Sequence, residues 1–465
     1  MMINNPPTSR QRFVPSESNT KLSFNAQQRS QNKSSGSKGK PRECFPPYWM
    51  FFIAVFAILI WAHYQPIKIT DEMLSVINSV DALKQNIKIS KISSDNTQGV
   101  ANDQVKRKKR LAYVITITKD GYFGLDGAAV LAYSIINSSS TFSRLVYDIS
   151  FIALVHPNVT VTRPGLKRLG FHVIEVPIPI NTSAIRYTFL REGILKNGCC
   201  GASELIKLTA YRLLRYDRII HLDADTMFLN PIDELFVRNY SLIYTTDPNM
   251  ATFKGDDKMP VQGGFVVLRP SMEDYRNIIT ILMNVDFVKW HGWNNSNIGW
   301  FWGGMTFQGV LPYYYNRVSA PGRSQIIDRC VYNTMADTEE CRYHSLSAIK
   351  SAHFTVCQKP WGCHKEVYTI THRKKGQGDK DKWEINPLCH ELHQKWFELR
   401  REAERFFDLP VIAEPCPHGG EKYYQPMQLS KAKLPSEEVL AALGVRPDDS
   451  DSRIDPISES MYTSN

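Results

Sequence analysis

Two aspartates, Asp223 and Asp225, stand one residue apart directly after the short segment 218–222. That segment has the length and composition of a buried strand, and open α/β sheets bind ligands at the carboxyl ends of their strands. Two carboxylates on a tight turn suit Mg²⁺ or Mn²⁺, and such an ion can bridge a diphosphate. A capped or solvated turn has the same pattern, so the pair by itself supports either interpretation.

A second segment, 353–361, carries an imidazole and an amine. His353 can bind the same cation, and Lys359, six residues later, can place a positive charge on a phosphate. Asp-x-Asp followed by a distant His-x5-Lys-Pro-Trp resembles the family 8 glycosyltransferases, the glycogenin-like retaining enzymes that use nucleotide sugars. The resemblance implies one GT-A domain with a Rossmann-like nucleotide half. It also implies a UDP-sugar donor and Mn²⁺ (or Mg²⁺) bound by Asp223, Asp225 and His353.

The resemblance extends to the end of the first predicted strand. Residues 118–122 read Thr-Lys-Asp-Gly-Tyr and match the family's Thr-x-Asp-x-Tyr element, which holds the uridine. By this resemblance Tyr122 stacks on the base, and Asp120 or Thr118 hydrogen-bonds the uracil edge. An ordinary turn is the alternative, because Asp-Gly is a common turn dipeptide.

Further residues are expected on the donor side of the site. Lys207 aligns with a family lysine near the donor sugar or phosphate, although a lone helical lysine would otherwise be interpreted as solvated. Residues 261–264 resemble the family's Asn-Ser-Gly block, so Gln262 and Gly264 are expected beside the donor; a plain β-bulge is the alternative. Ala224, between the two aspartates, is expected among the nucleotide contacts.

One block departs from the family pattern. Residues 302–309 contain two additional residues relative to the family's Gly-Gly-Asp-Gln-Gly, and Phe307 stands where the acid is expected. Gln308 is kept, and in related enzymes this glutamine lies near the anomeric carbon. The expected catalytic groups are therefore Gln308, Lys207 and Lys359, while the choice of donor sugar stays open.

The implied reaction is retaining transfer of a hexose or related sugar to an unknown glycan, protein or lipid acceptor. A front-face mechanism needs no protein nucleophile, whereas a double displacement would need a carboxylate where Phe307 stands. The alternative is a catalytically silent membrane protein that binds nucleotide sugars or glycans. The intact Asp-x-Asp, His353 and Lys359 favour an enzyme, because a binding protein need not retain groups that stabilise a leaving diphosphate.

These groups need a sheet to position them, and residues 111–408 alternate strand and helix signals. Strands are predicted at 111–118, 147–155, 171–176, 218–222, 242–246 and 263–269. Helices are predicted at 127–138, 203–216, from 271, and at 390–407. This order predicts an α/β fold with a mainly parallel sheet and helices on both faces. Residues 409–465 are predicted to be a loose tail with one short helix at 436–443.

The first 110 residues predict a membrane-anchored form. Residues 1–45 are poor in large apolar groups and predict a disordered cytosolic tail. Residues 46–64 predict a transmembrane anchor, since positions 48–64 contain no Asp, Glu, Lys or Arg. Residues 65–110 form a stem, either a short coiled coil that could pair two chains as a homodimer or a single amphipathic helix. Its basic end, 107–110, resembles a processing site or is a solvated charge cluster.

Charge and cysteine usage agree with this topology. The net charge of +10 is concentrated in the N-terminal arm and in 106–110, and no basic stripe crosses the body, which argues against nucleic acid as a partner. The basic arm predicts a type II protein of the Golgi or endoplasmic reticulum membrane, with its catalytic domain in the lumen. Five sequons follow the anchor, at Asn137, Asn158, Asn181, Asn239 and Asn294.

Eight of the nine cysteines also follow the predicted anchor. An even number fits disulfides in an oxidising compartment, with a connectivity that the sequence does not reveal. A zinc site around Cys357, Cys363, His364 and Cys389 is the weaker alternative, because its spacing matches no recurring zinc pattern.

Overall fold

The computed structural model describes residues 108–364, 368–372 and 382–446. Its strands are β1 Lys109–Ile117, β2 Tyr147–Val155, β3 Phe171–Glu175, β4 Arg218–Leu222, β5 Thr226–Phe228, β6 Leu242–Thr246, β7 Val261–Leu268, β8 Phe287–Val288, β9 Gly292–Trp293, β10 Ser324–Ile326, β11 Ser351–His353, β12 Tyr368–His372 and β13 Lys382–Ile385.

The α-helices are α1 Tyr122–Ser138, α2 Thr141–Val146, α3 Arg163–Arg168, α4 Thr188–Gly193, α5 Met272–Asn284, α6 Phe307–Tyr313, α7 Arg329–Tyr332, α8 Glu339–Arg342, α9 Pro387–Phe406 and α10 Glu437–Ala442. Shorter 3₁₀ segments join them, and a longer 3₁₀ stretch runs from Gly201 to Arg212.

The central sheet has seven strands in the order β10-β6-β7-β4-β1-β2-β3. Every neighbouring pair is parallel except those that involve β7, which runs antiparallel to both β4 and β6. The predicted mainly parallel sheet is therefore confirmed. Because β7 is reversed, its first residues, 261–264, lie at the same edge as the carboxyl ends of β4 and β6.

Both faces of the sheet are buried, as a parallel sheet requires. Alternate residues of β1 enter different cores: Leu111 and Tyr113 pack with α1, while Ala112 and Val114 pack with the 3₁₀ stretch and α5. The predicted arrangement of helices on both faces is confirmed.

Three predicted strands, 147–155, 218–222 and 242–246, have the bounds found in the structure. The helix from Ser271 is confirmed as α5, whose N-cap is the Ser271 hydroxyl. The predicted helix 203–216 is instead the 3₁₀ stretch 201–212, which is buried on nearly every side. Its apolar pattern therefore reflects burial on all faces rather than one amphipathic face.

Residues 1–107 lie outside the described residues, so the tail, the anchor at 46–64, the stem and the homodimer stay predictions. Within the described ranges, no helix combines the length and the apolar character needed to cross a bilayer. The body begins before the predicted boundary, because β1 starts at Lys109 and the Arg110 amide donates to the Asp217 carboxylate at 2.8 Å. Cleavage after Arg110 would cut within this strand.

The predicted loose tail is wrong for residues 409–446. Tyr424 donates its hydroxyl to Asp126 at 2.7 Å, and Val445 forms a bridge with Ile149 on β2. Apolar side chains such as Leu440 join the main core, but their irregular spacing has no helical or strand period that the sequence could display. The predicted short helix is present as α10, and residues 447–465 lie outside the described residues.

Six cysteines form disulfides, namely Cys330–Cys341, Cys357–Cys389 and Cys363–Cys416. The disulfide interpretation is thus confirmed for these six, and the zinc alternative is wrong because three of its four members are disulfide-bonded. Cys199 and Cys200 remain as free thiols. The five sequon asparagines are all exposed.

Candidate functional site

The turn after β4 positions the two aspartates. Thr226, the first residue of β5, donates both its amide and its hydroxyl to the Asp223 carbonyl, at 3.2 and 2.8 Å. The Asp223 amide donates in turn to the Gly264 carbonyl on β7 at 3.2 Å. The chain is therefore fixed on both sides of Asp223, and the two carboxylates project from the edge of the sheet.

A two-stranded ribbon brings His353 to these carboxylates. β11 pairs antiparallel with β5 so that His353 lies opposite Thr226, and the Phe354 amide donates to the Asp225 carbonyl at 2.9 Å. His353 Nε2 is then 3.4 Å from Asp225 Oδ1 and 3.8 Å from Asp223 Oδ2. One ligand atom from each of the three residues lies within 4.8 Å of the others, so the set can hold one metal ion.

The donor set fits a divalent cation. Burial lowers the pKa of His353, which keeps the imidazole in the neutral form that binds metals. Burial alone would raise the pKa of Asp223, but Lys207 and His353 hold it at about 2, so the carboxylate is charged. Two carboxylates and one imidazole are ligands that Mn²⁺ accepts.

Lys359 lies against the same pair. Its ammonium forms an ion pair with Asp225 Oδ2, and partial burial lowers the pKa of Lys359 to about 8. The lysine directly precedes the 3₁₀ turn Pro360–Gly362. The disulfides of Cys357 and Cys363 anchor the chain on either side of it.

Lys207 is buried and is not the solvated lysine that a lone helical position would predict. Its ammonium donates to Asp223 Oδ1 at 2.8 Å and to the Gly263 carbonyl at 3.2 Å, and Glu204 Oε2 lies at 3.2 Å. Burial would lower the pKa of Lys207, but Asp223 and Glu204 raise it above its ordinary value. The lysine therefore connects the aspartate turn with the start of β7.

Gln308 lies on the other side of Gly263. A Cβ on Gly263 would be 3.3 Å from the Lys207 ammonium and 3.4 Å from Gln308 Cγ. Gln308 Nε2 donates to the Val261 carbonyl at 3.2 Å. The structure therefore places two of the expected catalytic groups, Lys207 and Gln308, around one glycine.

Phe307 is a core residue. Its side chain is fully buried and packs against the His221 ring at 6.0 Å between centroids, and the Lys207 ammonium lies 5.8 Å from the centroid of its ring. Pro312 to Tyr315 are also buried and belong to the core. Position 307, where the family has an acid, therefore places an aromatic ring against the Lys207 ammonium.

The side chain of Gln262 is used within the protein. Its Oε1 accepts the Gly264 amide at 2.6 Å, and its Nε2 lies 3.5 Å from the Met335 sulfur. Gly264 itself faces the site, because a Cβ there would be 2.2 Å from His353 Cε1. Of the predicted pair, Gly264 contacts the metal ligands and Gln262 orients its backbone.

The predicted uridine element is only partly described. Asp120 accepts the backbone amides of residues 160–162 at 2.9 to 3.0 Å, and these bonds, led by Thr160, lower its pKa to about 2. Asp120 therefore organises this loop, and its contact with uracil stays a prediction. Thr118 hydrogen-bonds the Cys200 thiol. Tyr122 begins α1, and its side chain lies outside the described atoms.

Ala224 lies where α1 meets the aspartate turn. A Cβ on Gly127 of α1 would be 2.3 Å from the Ala224 carbonyl oxygen. This glycine lets the helix approach the turn closely, so the packing of α1 also supports the position of the two aspartates.

Sequence reasoning missed Glu204 and Asp247. Glu204 is buried three residues before Lys207, a spacing at which side chains meet in a helical turn. Asp247 directly follows β6 at the same edge as Asp223. Burial raises its pKa, and the nearby charge of Asp337 raises it further. The strand-end rule that singled out Asp223 applies equally to Asp247.

No protein-family model matches the chain. It is similar to human glycogenin-2, with 26% identity over 254 residues, covering 54% of this chain and 43% of glycogenin-2. Rabbit glycogenin-1 is 25% identical over 269 residues, covering 57% and 69%, and Caenorhabditis elegans glycogenin-1 is 27% identical over 273 residues, covering 57% and 54%. The chain thus spans about half the length of human glycogenin-2 and of the worm protein.

Two solved structures show weaker likeness. The galactosyltransferase LgtC, in complex with donor and acceptor sugar analogues, is 13% identical with a TM-score of 0.35, covering 62% of this chain and 95% of LgtC. Mouse xyloside xylosyltransferase 1 is 13% identical with a TM-score of 0.32, covering 54% and 99%. Likeness at this level carries no argument about the chain.

Proposed function

We propose that this chain is a retaining glycosyltransferase that moves a hexose or related sugar from a UDP-sugar to a glycan, protein or lipid acceptor. The observation that carries the proposal is the convergence of Asp223, Asp225 and His353 with two lysines at one sheet edge. Similarity to glycogenins supports the same class of reaction.

The first role of these residues is to place positive charge on the leaving diphosphate. A bound Mn²⁺ or Mg²⁺ would supply positive charge to the leaving diphosphate. Lys359 pairs with Asp225 and can add a second positive contact to a phosphate. Preorganised charge of this kind is usually the largest single catalytic contribution.

Lys207 and Gln308 would act at the sugar. Lys207 holds Asp223 in place. The side chains of Lys207 and Gln308 flank Gly263, which has no side chain of its own and so lets them lie close to the strand. Because Phe307 replaces the expected acid and is buried, no carboxylate is offered at that position. This favours front-face attack by the acceptor over a double displacement.

We also propose that the body functions in the lumen of the Golgi or endoplasmic reticulum, carried by a type II membrane anchor at 46–64. Three disulfides support an oxidising compartment. A stem-mediated homodimer belongs to the same proposal.

The test is release of UDP from a panel of UDP-sugars by the full chain, with Mn²⁺, with EDTA and after Asp225→Ala. We expect metal-dependent turnover of one donor, abolished by Asp225→Ala and retained by the control Asp257→Ala, which removes an exposed ion pair with Arg317. Absence of metal-dependent UDP binding by folded protein would refute the nucleotide-sugar proposal.

The alternative function is a silent nucleotide-sugar or glycan-binding protein, which the replacement of the acid by Phe307 favours. It predicts metal-dependent binding of UDP without hydrolysis or transfer of any donor, even when acceptor sugars are supplied. Turnover that depends on Asp225 would exclude it.

A further inference from the structure

Two adjacent cysteines, Cys199 and Cys200, lie next to Glu204, which contacts Lys207 of the candidate site. Cys199 is exposed and Cys200 is partly buried, and their sulfurs are 2.8 Å apart. They are the free thiols of the described residues, whereas the other described cysteines are paired as disulfides. A pair of thiols this close needs an explanation that the proposed transferase does not provide.

The sulfurs are closer to a bond than to an ordinary contact. A disulfide bond is about 2.05 Å long, so a shift of less than 1 Å would join them. Neighbouring Cα atoms are about 3.8 Å apart across a trans peptide, below the span of about 4.4 to 6.8 Å that disulfides usually bridge. Such a bond is strained and hence more easily reduced than an ordinary structural disulfide.

We propose that Cys199 and Cys200 form a reversible vicinal disulfide beside the donor site. The oxidant is a small-molecule or protein disulfide of the secretory pathway. Cys200 attacks one sulfur of the oxidant and releases its first thiol. Cys199 then attacks the Cys200 sulfur and releases the second. Two protein thiols and one disulfide thus become one vicinal disulfide and two free thiols, with both protons passing to the thiols released.

The surroundings suit this chemistry. Glu204 Oε1 lies 2.9 Å from the Cys199 sulfur and can accept its proton. The neighbouring Cys199 sulfur lowers the pKa of Cys200, and a hydrogen bond with Thr118 lowers it further. Thiolate is the form that attacks a disulfide, so Cys200 is the better first nucleophile and the exposed Cys199 completes the bond.

A cation at this cluster is the competing interpretation. Cys199, Cys200 and Glu204 could in principle hold a metal ion. However, the Lys207 ammonium already lies 3.2 Å from Glu204 Oε2 and is itself buried. The chelator step of the first measurement below therefore separates a metal site from the disulfide.

The pair is connected to the catalytic groups in two ways. Glu204, which the Cys199 thiol contacts, also pairs with Lys207, and Lys207 bonds Asp223. On the other side, Asn197 Oδ1 accepts the Met305 amide at 2.8 Å in the block that carries Gln308. Oxidation removes the thiol donor to Glu204 and tightens the loop that contacts this block. Any effect on donor binding rests on the proposed function.

The first measurement is made on the full chain equilibrated in glutathione buffers of graded redox ratio. After acid quenching, free thiols are alkylated and the protein is digested with trypsin. The peptide Asn197–Lys207 contains both cysteines and no others. Under oxidising buffers we expect it to carry no alkyl group and to be two hydrogen atoms lighter than the unmodified reduced peptide, while the six disulfide-bonded cysteines do not change over the same range.

Any of four results would overturn the proposal. The two thiols could be alkylated at every ratio, or each could carry glutathione or pair with another cysteine. Alternatively, a stoichiometric metal ion could protect them until a chelator removes it, which would establish a metal site instead.

The second measurement is the affinity for UDP with Mn²⁺ in the buffers where only this peptide changes. Gain or loss of one hydrogen bond at Glu204 predicts a shift of roughly two- to tenfold between redox states. Cys199→Ser keeps a donor to Glu204 but cannot form the bond, so its affinity should not respond to the buffer. If the disulfide forms but UDP binds in neither state, the proposed function fails and the vicinal disulfide stands.

Discussion

The imidazole of His353 occupies the space in which a side chain on Gly264 would lie. A Cβ at position 264 would be 2.2 Å from His353 Cε1 and 2.5 Å from Nδ1, closer than atoms can pack. The third ligand of the candidate metal site therefore depends on a glycine in the neighbouring strand β7, far from it in the sequence.

Gly264→Ala should displace His353 and weaken Mn²⁺ binding by roughly 10- to 100-fold, the usual cost of disturbing a ligand's support. Titration of the full chain with Mn²⁺, followed by electron paramagnetic resonance, would measure it. The matched control is Gly124→Ala in α1, where an added Cβ meets no atom within 4 Å. Equal affinity in the two variants would contradict the dependence.

Lys207→Met should reduce donor turnover by roughly 10²- to 10³-fold, because it removes a preorganised charge beside Asp223. It should also destabilise the fold by roughly 3 to 5 kcal/mol, since Glu204 and Asp223 lose their buried partner. Steady-state kinetics and urea unfolding would measure the two effects.

The control for that variant is Lys350→Met, which removes a partly exposed pair with Glu234 and a cation–π contact with Tyr332. Its stability should fall by no more than about 1 kcal/mol. A Lys207→Met protein with normal turnover would show that this lysine does not act on the donor.

Phe307→Asp should not restore the acid of related enzymes. The side chain at 307 is fully buried against His221 and Lys207, so a carboxylate there would lose core packing, and the fold should lose roughly 3 kcal/mol or more. Phe307→Leu, which keeps an apolar group, should cost less than about 1.5 kcal/mol. Thermal unfolding would rank the two, and a well-folded, more active Phe307→Asp would contradict the assignment of this residue to the core.

Asp126 should make stability depend on pH. Burial raises its pKa from 3.8 to about 6, even though Tyr424 and Met427 donate hydrogen bonds to it. Between about pH 3.8 and pH 6 the Asp126 carboxyl is therefore protonated in the folded protein but ionised in the unfolded chain. The contribution of protonated Asp126 to the free energy of unfolding is full below about pH 3.8. It disappears as the pH rises through about 6, a difference of roughly 1 to 3 kcal/mol.

Asp126→Asn can accept the same two hydrogen bonds without a charge. The variant should gain stability relative to the natural protein as the pH rises from 4.5 to 7.5. Urea unfolding at both values would measure this, with the exposed Asp408→Asn as the control. A constant difference between Asp126→Asn and the natural protein at the two values would contradict the raised pKa.

Local strand patterns predicted the sheet and the place of Asp223 and Asp225 at its edge, whereas the family resemblance predicted that His353 would lie beside them. Strands such as 218–222 are short apolar runs between turns, and Asp223 follows one directly. Glu204 and the pairing of Cys199 with Cys200 were missed because their significance comes from partners that only the fold brings together. Gln262 was expected beside the donor, but its side-chain oxygen accepts the amide of Gly264 in the same strand, which no pattern of residue types reveals.

The disulfides of Cys357 and Cys363 tie Lys359 to the conditions under which the chain matures. Cys357–Cys389 ties one end of the segment 357–363 to α9, and Cys363–Cys416 ties the other end to the chain after α9. Lys359 lies between these two bonds. A chain folded in a reducing environment would keep its sheet and its aspartates but would leave this charge unanchored. The activity of a molecule would then depend on the redox environment in which it folded, and not only on its sequence.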